Sequence, residues 1–234
     1  MTVPPDGAPV LTCTRARRAA PAVLATVAGC LLVVALLGAG VKTNFTPQLR
    51  IDGAVSNALY AGDHRAAALT TLLDVLTAPG LSLFRYIVFL PVVVWLVRRR
   101  AWWTVAWLVT AVVLIGPLNT GLKYFFGRVR PDFAEGGARL TSLSYPSGHA
   151  SGIATAVTVA LILAWPLLAV RARRLALAAG AALVVLVGLT RMWLGVHFLS
   201  DVLGGWSLGV AWSLLTALLF GAFAEGRASL RPTT

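Results

Sequence analysis

Lys123-Tyr-Phe-Phe-Gly-Arg128-Val-Arg130-Pro131, Tyr145-Pro146-Ser147-Gly148-His149 and Thr190-Arg191-Met-Trp-Leu-Gly-Val-His197-Phe-Leu-Ser-Asp201 are three short clusters that gather the residues of this chain suited to phosphate chemistry. Two apolar stretches lie between the second cluster and the third. They read as a there-and-back crossing of a membrane, which returns both clusters to the same side. The expected architecture is therefore all-α, a polytopic membrane helix bundle with its chemistry at one membrane boundary.

The spacings carry physical content. Lys123 and Arg130 are seven apart, so a helix continuing to Pro131 would set both cations on one face, with Arg128 pointing elsewhere. His197 and Asp201 are four apart. On a helix that carboxylate accepts from one ring nitrogen and leaves the lone pair of the other free, which makes a neutral imidazole an oriented nucleophile. Ser147-Gly148-His149 stands where an apolar helix begins, and a helix N-terminus offers unpaired N–H groups to an anion. Pro146 and Ser147 suit such a start.

The whole composition agrees with a membrane setting: 58% hydrophobic residues, 12% charged and a mean hydropathy of +0.82 over 234 residues. Six apolar stretches approach the length of a helical span, at 20–41, 81–97, 101–121, 150–170, 175–190 and 201–223. The formal charge of +12 would suggest nucleic acid in a soluble protein, but its distribution follows the spans. Arg15, Arg17 and Arg18 precede the first stretch, and Arg98 to Arg100 follow the second. Arg171, Arg173 and Arg174 follow the fourth, and Arg227 and Arg231 the sixth. The positive-inside rule then puts those four segments and both termini in the cytoplasm, within a multi-pass plasma-membrane protein, and a nucleic-acid partner is not expected. Lys123, Arg128, Arg130, Arg139 and Arg191 fall on the other side, where cations are disfavoured unless something anionic is held there. For Arg128 and Arg139 plain pairing with lipid headgroups or nearby carboxylates is the better reading.

The pattern Lys-x6-Arg-Pro, Pro-Ser-Gly-His, Arg-x5-His-x3-Asp resembles the three-part signature of the type 2 phosphatidic acid phosphatase superfamily, with every specified position present. Thr190 departs from it, standing where the family usually has Ser. The resemblance implies hydrolysis of a lipid phosphate at the extracytoplasmic face through a phosphohistidine. His197 would be the nucleophile, Asp201 its orienting partner and His149 the general acid and base. Lys123, Arg130, Ser147, the Gly148 N–H and Arg191 would bind the phosphoryl oxygens, with no cofactor and no metal. Phosphatidic acid, phosphatidylglycerol phosphate and prenyl (di)phosphates all fall within that family's range. A lipid phosphotransferase, and a non-enzymatic protein that binds or transports lipid phosphates, are the alternatives. Oligomeric state is not readable.

The remaining segments supply context. Residues 1–19 read as a disordered cytoplasmic tail, 20–223 as a six-helix membrane phosphatase domain and 224–234 as a short cytoplasmic tail; the first apolar run reads as an uncleaved anchor. Between 41 and 80 the mixed composition, with helical periodicity at 66–76, predicts an outer loop with one or two interfacial helices. His64 is assigned no role. Arg85 is expected to snorkel to the headgroups, and Pro91 and Pro117 to kink their helices. Trp95, Trp102 and Trp103 read as anchors at the inner interface and Trp193 as one at the outer. Asn119 either orients a phosphate-binding side chain or serves helix packing. Cys13 and Cys30 suit neither a disulfide nor zinc, and residues 131–145 form a loop that folds the second cluster back on the first.

Overall fold

A computed structural model describes residues 10–62, 65–133, 142–223 and 226–230, with backbone alone for 10–20. The expectations for residues 1–9, for His64, for Arg139 and the 134–141 part of its loop, and for Arg231 concern positions outside the described residues. Among the described residues eight α-helices follow in order: α1 Val10–Lys42, α2 Thr46–Leu59, α3 Ala67–Thr77, α4 Ser82–Arg98, α5 Trp102–Phe126, α6 Gly148–Ala164, α7 Val170–Trp193 and α8 Leu199–Phe220. There is no strand among the described residues. Among the described residues five helices are long and apolar enough to cross a membrane: α1 from Pro21, α5, α6 extended to Leu167, α7 and α8. The 17-residue α4 reaches that standard only together with α3, from which it is bent by 48°. Pro91 and Pro117 lie within α4 and α5, and the bend between α3 and α4 falls at Leu81.

Helix ends differ from the expected boundaries for local reasons. α5 runs on through Lys123 and stops at Gly127, whose φ of 68° is open to a residue without Cβ and whose N–H closes on the Lys123 carbonyl. Lys123 and Arg130 therefore do not share one helical face: glycine, not Pro131, ends the helix, and Arg130 follows on non-helical chain. α7 begins at Val170, so Arg171, Arg173 and Arg174 occupy its first turns rather than a loop. Arginine is a good helix former, and nothing in that stretch breaks the helix.

The molecule is apolar on the outside. Leu36, Leu83, Ile87 and Leu90 are 61–66% exposed, an arrangement that suits hydrocarbon and not water. Inside, Trp107, Leu108, Ala111, Val159 and Ala217 form the core between α5, α6 and α8. The most extensive pairing is α6 with α8. It depends on Gly205 and Gly209, where an added Cβ would lie 2.6 Å from the Ser147 carbonyl oxygen and closer still to that of Ser151. Small residues four apart allow this backbone approach, the usual route to tight packing where no hydrophobic drive separates helix from lipid. The α6–α8 contact in turn fixes the start of α6 against the start of α8, where the second and third clusters lie.

At the opposite end, Arg99 lies over Trp95, Arg173 over Trp165 and Arg227 over Trp103, with centroid distances of 4.6, 5.1 and 5.7 Å. Trp95, Trp102 and Trp103 are exposed, as interfacial anchors should be. Trp193 instead packs, half-buried, on Leu73, Leu194 and Val196. α2 and α3 are the short helices expected between 41 and 80, and both pack at the site end of the bundle, on α8 and α7.

Gly209→Val should part α6 from α8, an overpacking expected to cost about 1–3 kcal/mol. Thermal unfolding in detergent should show that loss for Gly209→Val and none for Leu219→Val, a control on the exposed face of α8.

Candidate active site

The C-termini of α5 and α7 and the N-termini of α6 and α8 meet at one end of the bundle, and each delivers part of the site. Lys123 lies in the last turn of α5, His149 in the first turn of α6, Arg191 in the last turn of α7, and Asp201 in the first turn of α8. His197 sits in the short connection from α7 to α8, so the His197–Asp201 spacing is realised around a helix start and not within a helix. His149 lies within electrostatic range of Arg191, His197, Arg130 and Lys123, and Lys123 within range of Arg130, Asp201 and Arg191. The three clusters thus converge.

The hydrogen bonds around His197 determine its tautomer. Arg130 Nη1 stands 3.1 Å from His197 Nε2, while Asp201 Oδ2 stands 3.2 Å from Nδ1. A guanidinium only donates, so Nε2 must present its lone pair and Nδ1 must carry the hydrogen that Asp201 accepts. Burial, opposed by Asp201, pushes the His197 imidazole down to about 3, which keeps the ring neutral near neutral pH. Arg130 is held in turn by the Val196 carbonyl at 2.6 Å, the Ser142 carbonyl at 2.8 Å and the Ser142 hydroxyl at 2.9 Å. Its own value is lowered by burial.

Asp201 is the most heavily engaged group. Besides His197 it accepts from Ser144 Oγ, from Arg128 Nη1 at 2.8 Å and from the Phe198 N–H at 2.9 Å. Arg128 does not point away as its spacing suggests. It is buried, lies 4.0 Å from the Phe198 ring centroid, and bridges Asp201 to Asp52 on α2, whose Oδ2 is 2.6 Å from Nη2. Ser200 completes the junction: its hydroxyl accepts from Arg128 at 2.7 Å and donates to Asp52 at 2.6 Å, and its N–H donates to Asp52 Oδ1 at 2.9 Å. Asp52, Ser144 and Ser200 carry no sequence signal, because the partners are 57 to 148 residues apart. The charge of Asp201 is thereby met by Arg128, and Lys123, Arg130 and Arg191 are left with no paired carboxylate among the described residues.

The other expected residues have definite places. Lys123 Nζ donates to the Leu143 carbonyl. Arg191 is buried, with Nη1 3.2 Å from Thr77 Oγ1 and Nε without a partner. Ser147 is the N-cap of α6, its Oγ accepting from the Ala150 N–H at 3.4 Å, and its own N–H donates to the Asp201 carbonyl at 2.9 Å. Gly148 and His149 then offer first-turn N–H groups. Asn119 donates to Ser151 Oγ at 3.1 Å, and its Oδ1 would lie 3.4 Å from a Cβ at Gly148, so it steadies that same turn. Arg85 does not snorkel: it is 2% exposed, because the carbonyl of Val112 and the hydroxyl of Ser82 hold it inside the bundle. A cavity of about 560 Å³ opens from Lys123, Gly148 and His149 along α4 and α5.

A family profile described as the PAP2 superfamily matches residues 83–224, a range that contains all three clusters, helices α5 to α8 and all but the first residue of α4. The chain belongs to the PAP2 superfamily. Among PAP2 relatives it is 44% identical over 96 residues to phosphatidylglycerophosphatase B of Bacillus subtilis, covering 40% of this chain and 46% of that protein. It is 35% identical over 127 residues to lipid A 1-phosphatase of Rhizobium johnstonii, covering 50% and 48%. The chain thus spans about half the length of the curated relatives it matches. The crystal structure of a transmembrane PAP2-type phosphatidylglycerolphosphate phosphatase from Bacillus subtilis superposes with a TM-score of 0.66 at 31% identity, over 83% of this chain and 95% of that one. With that neighbour and its own apolar helices, this PAP2 protein is a multi-pass membrane protein. Asp52 lies outside the range matched to the PAP2 family, so part of the support for Asp201 comes from beyond it.

Arg128→Met should strand two buried carboxylates and destabilise the protein by about 3–5 kcal/mol. Adding Asp52→Asn should recover part of that loss, because one of the stranded charges is then gone. Equal unfolding temperatures for Arg128→Met and the parent protein would contradict the ion-pair reading.

Proposed function

We propose that this protein hydrolyses a lipid phosphate through a phosphohistidine intermediate. The observation that carries the reading is the contact between Arg130 and His197 Nε2: the unprotonated nitrogen faces a cation, which a phosphoryl oxygen would draw away as the substrate binds. Lys123, Arg130 and Arg191, with Ser147 and the Gly148 N–H, supply donors for the three equatorial oxygens of the transition state. Nε2 attacks phosphorus as the ester P–O bond breaks, and Asp201 stabilises the positive charge that develops on the ring. His149 gives its proton to the departing alkoxide, the bound phosphate's charge favouring its protonated form. His149 then takes a proton from water, which attacks phosphorus and breaks the P–N bond. Inorganic phosphate leaves and neutral His197 returns. The cations take the part that metal ions take in other phosphatases, so turnover is expected to persist in chelator.

The lipid character of the substrate is supported by the cavity beside α4 and α5, which is bounded largely by membrane-type helices, and by the lipid phosphatases among the relatives. We place six spans in the plasma membrane, counting α3 with α4 as one, with both termini cytoplasmic. The arginines at the ends of α4, α7 and α8 and their tryptophan partners lie at the end opposite the site, which by the positive-inside rule supports a site on the extracytoplasmic face. Labelling of single cysteines at Ser142 and Arg99 by a membrane-impermeant reagent should reach the first from outside and not the second.

Purified protein should release phosphate from phosphatidic acid, phosphatidylglycerophosphate or a prenyl diphosphate with chelator present. His197→Ala should lose at least about 10⁴-fold and form no phosphoenzyme, whereas His149→Ala should slow poor leaving groups most. Substantial turnover by His197→Ala would remove the nucleophile assignment. Because burial keeps His197 neutral, the phosphoenzyme burst should persist as the pH falls from about 7 to about 5, well above the lowered value and across the range where a free imidazole would protonate.

A further inference from the structure

The elbow between α3 and α4 touches the site at two places that the reaction as described leaves out. α3 ends at Thr77, residues 78–80 make a single 3-10 turn, and Leu81 is extended before α4 begins. Pro79 has no N–H with which to carry α3 onward. The turn packs on α6 and α7, the helices that deliver His149 and Arg191. At its start Thr77 is buried, and its Oγ1 accepts from Arg191 Nη1 at 3.2 Å. That is the one hydrogen bond the Arg191 guanidinium makes among the described residues.

At its other end Gly80 meets His149. A Cβ added to Gly80 would lie 2.8 Å from His149 Cβ, 2.9 Å from His149 Cδ2 and 3.0 Å from Val187 Cγ1, so the glycine is wedged between α6 and α7 with its backbone against the imidazole. Its φ is not in the left-handed region, so space and not backbone conformation requires glycine there. The Gly80 carbonyl oxygen lies 2.9 Å from a Cβ placed on Gly152, so the elbow rests on the backbone of α6 beyond His149 as well. His149 depends on such a wall. Both ring nitrogens of His197 are engaged, whereas no hydrogen bond holds the His149 ring among the described residues. Packing alone then orients it, and a reacting group misplaced by about 1 Å loses about 10²-fold in rate.

We infer that the elbow at residues 77–80 is a positioning element of the reaction: Gly80 seats the His149 ring for proton transfer to the leaving oxygen, and Thr77 sets the Arg191 guanidinium for a phosphoryl oxygen. Both residues precede the range matched to the PAP2 family, so the motif residues draw on a connection outside it. The role rests on the phosphatase reading, and one readout below therefore needs no turnover.

Full-length protein in nanodiscs would be compared as wild type, Gly80→Ala, Thr77→Val and Thr77→Ser. The first measurement is the rate of phosphoenzyme formation from two amphiphilic phosphomonoesters of equal chain length: an alkyl phosphate, whose alkoxide must receive the His149 proton, and a nitrophenyl phosphate, whose phenolate leaves without one. Gly80→Ala should slow the alkyl ester about tenfold or more and the aryl ester less than about threefold, whereas a loss of folded protein would lower both alike. The second is the Kd of inorganic phosphate, the product. Thr77→Val should raise it about fivefold or more, and Thr77→Ser, which keeps the hydroxyl, should return it close to the wild-type value. Equal slowing of the two esters by Gly80→Ala, or slowing of neither, would overturn the elbow's role and leave the phosphatase reading in place. Thr77-dependent phosphate binding by a protein that releases phosphate from neither ester would uphold the hold on Arg191 and remove the phosphatase reading. If Gly80→Ala does not fold, Thr77→Val decides, and phosphate bound as tightly as by the wild type overturns the elbow's role.

Discussion

The carboxylate of Asp201 is fully buried, and the arrangement of the site follows from the need to satisfy it. An ion in that position is tolerable only when its lone pairs and its charge are met, and four groups from three parts of the chain do so: Arg128, Ser144, and the His197 ring with the Phe198 N–H. The same four contacts fix where His197 stands and which of its nitrogens carries hydrogen. Arg128 extends the requirement to Asp52, so α2 is tied to the start of α8 by charge as well as by packing.

Membrane and site constrain each other through the helix ends. Hydrocarbon requires that the backbone hydrogen bonds within it be made inside the helices, which leaves helix termini as the place where free N–H and C=O groups and charged side chains can gather. Four termini converge here because α6 and α8 approach closely at Gly205 and Gly209, bringing Ser147 and Asp201 within one hydrogen bond of each other. Arg128 and Arg85, two of the buried arginines, illustrate two ways of placing a cation in such a bundle. Arg128 has two carboxylates; Arg85 has only neutral neighbours, a carbonyl and a hydroxyl among them.

Much of the molecule is legible in the sequence because its signals are local. Long apolar runs mark the helices, and mixed composition between 41 and 80 marks α2 and α3. The three clusters supply the residues that the structure gathers at one end. Expectation and structure part where a local rule meets a stronger neighbour. Helical spacing puts Lys123 and Arg130 on one face, but Gly127 ends α5 between them. Snorkelling is the usual course for an arginine near a helix end, but Arg85 finds acceptors inward, at Val112 and Ser82. Arg128 reads as an incidental surface cation, and its partner Asp52 belongs to a segment with no motif at all.

The sequence by itself determined the all-helical architecture, the family and the residue types available for chemistry, because periodicity, hydropathy and fixed motif spacing are properties of contiguous chain. The tertiary structure alone decided that Arg128 serves Asp201, that Asp52 and Ser144 complete that junction, and that Arg85 faces a cavity rather than a headgroup. Those outcomes depend on which side chains meet across tens of residues, and the requirement that every buried charge find a partner can be evaluated only once the partners are in place.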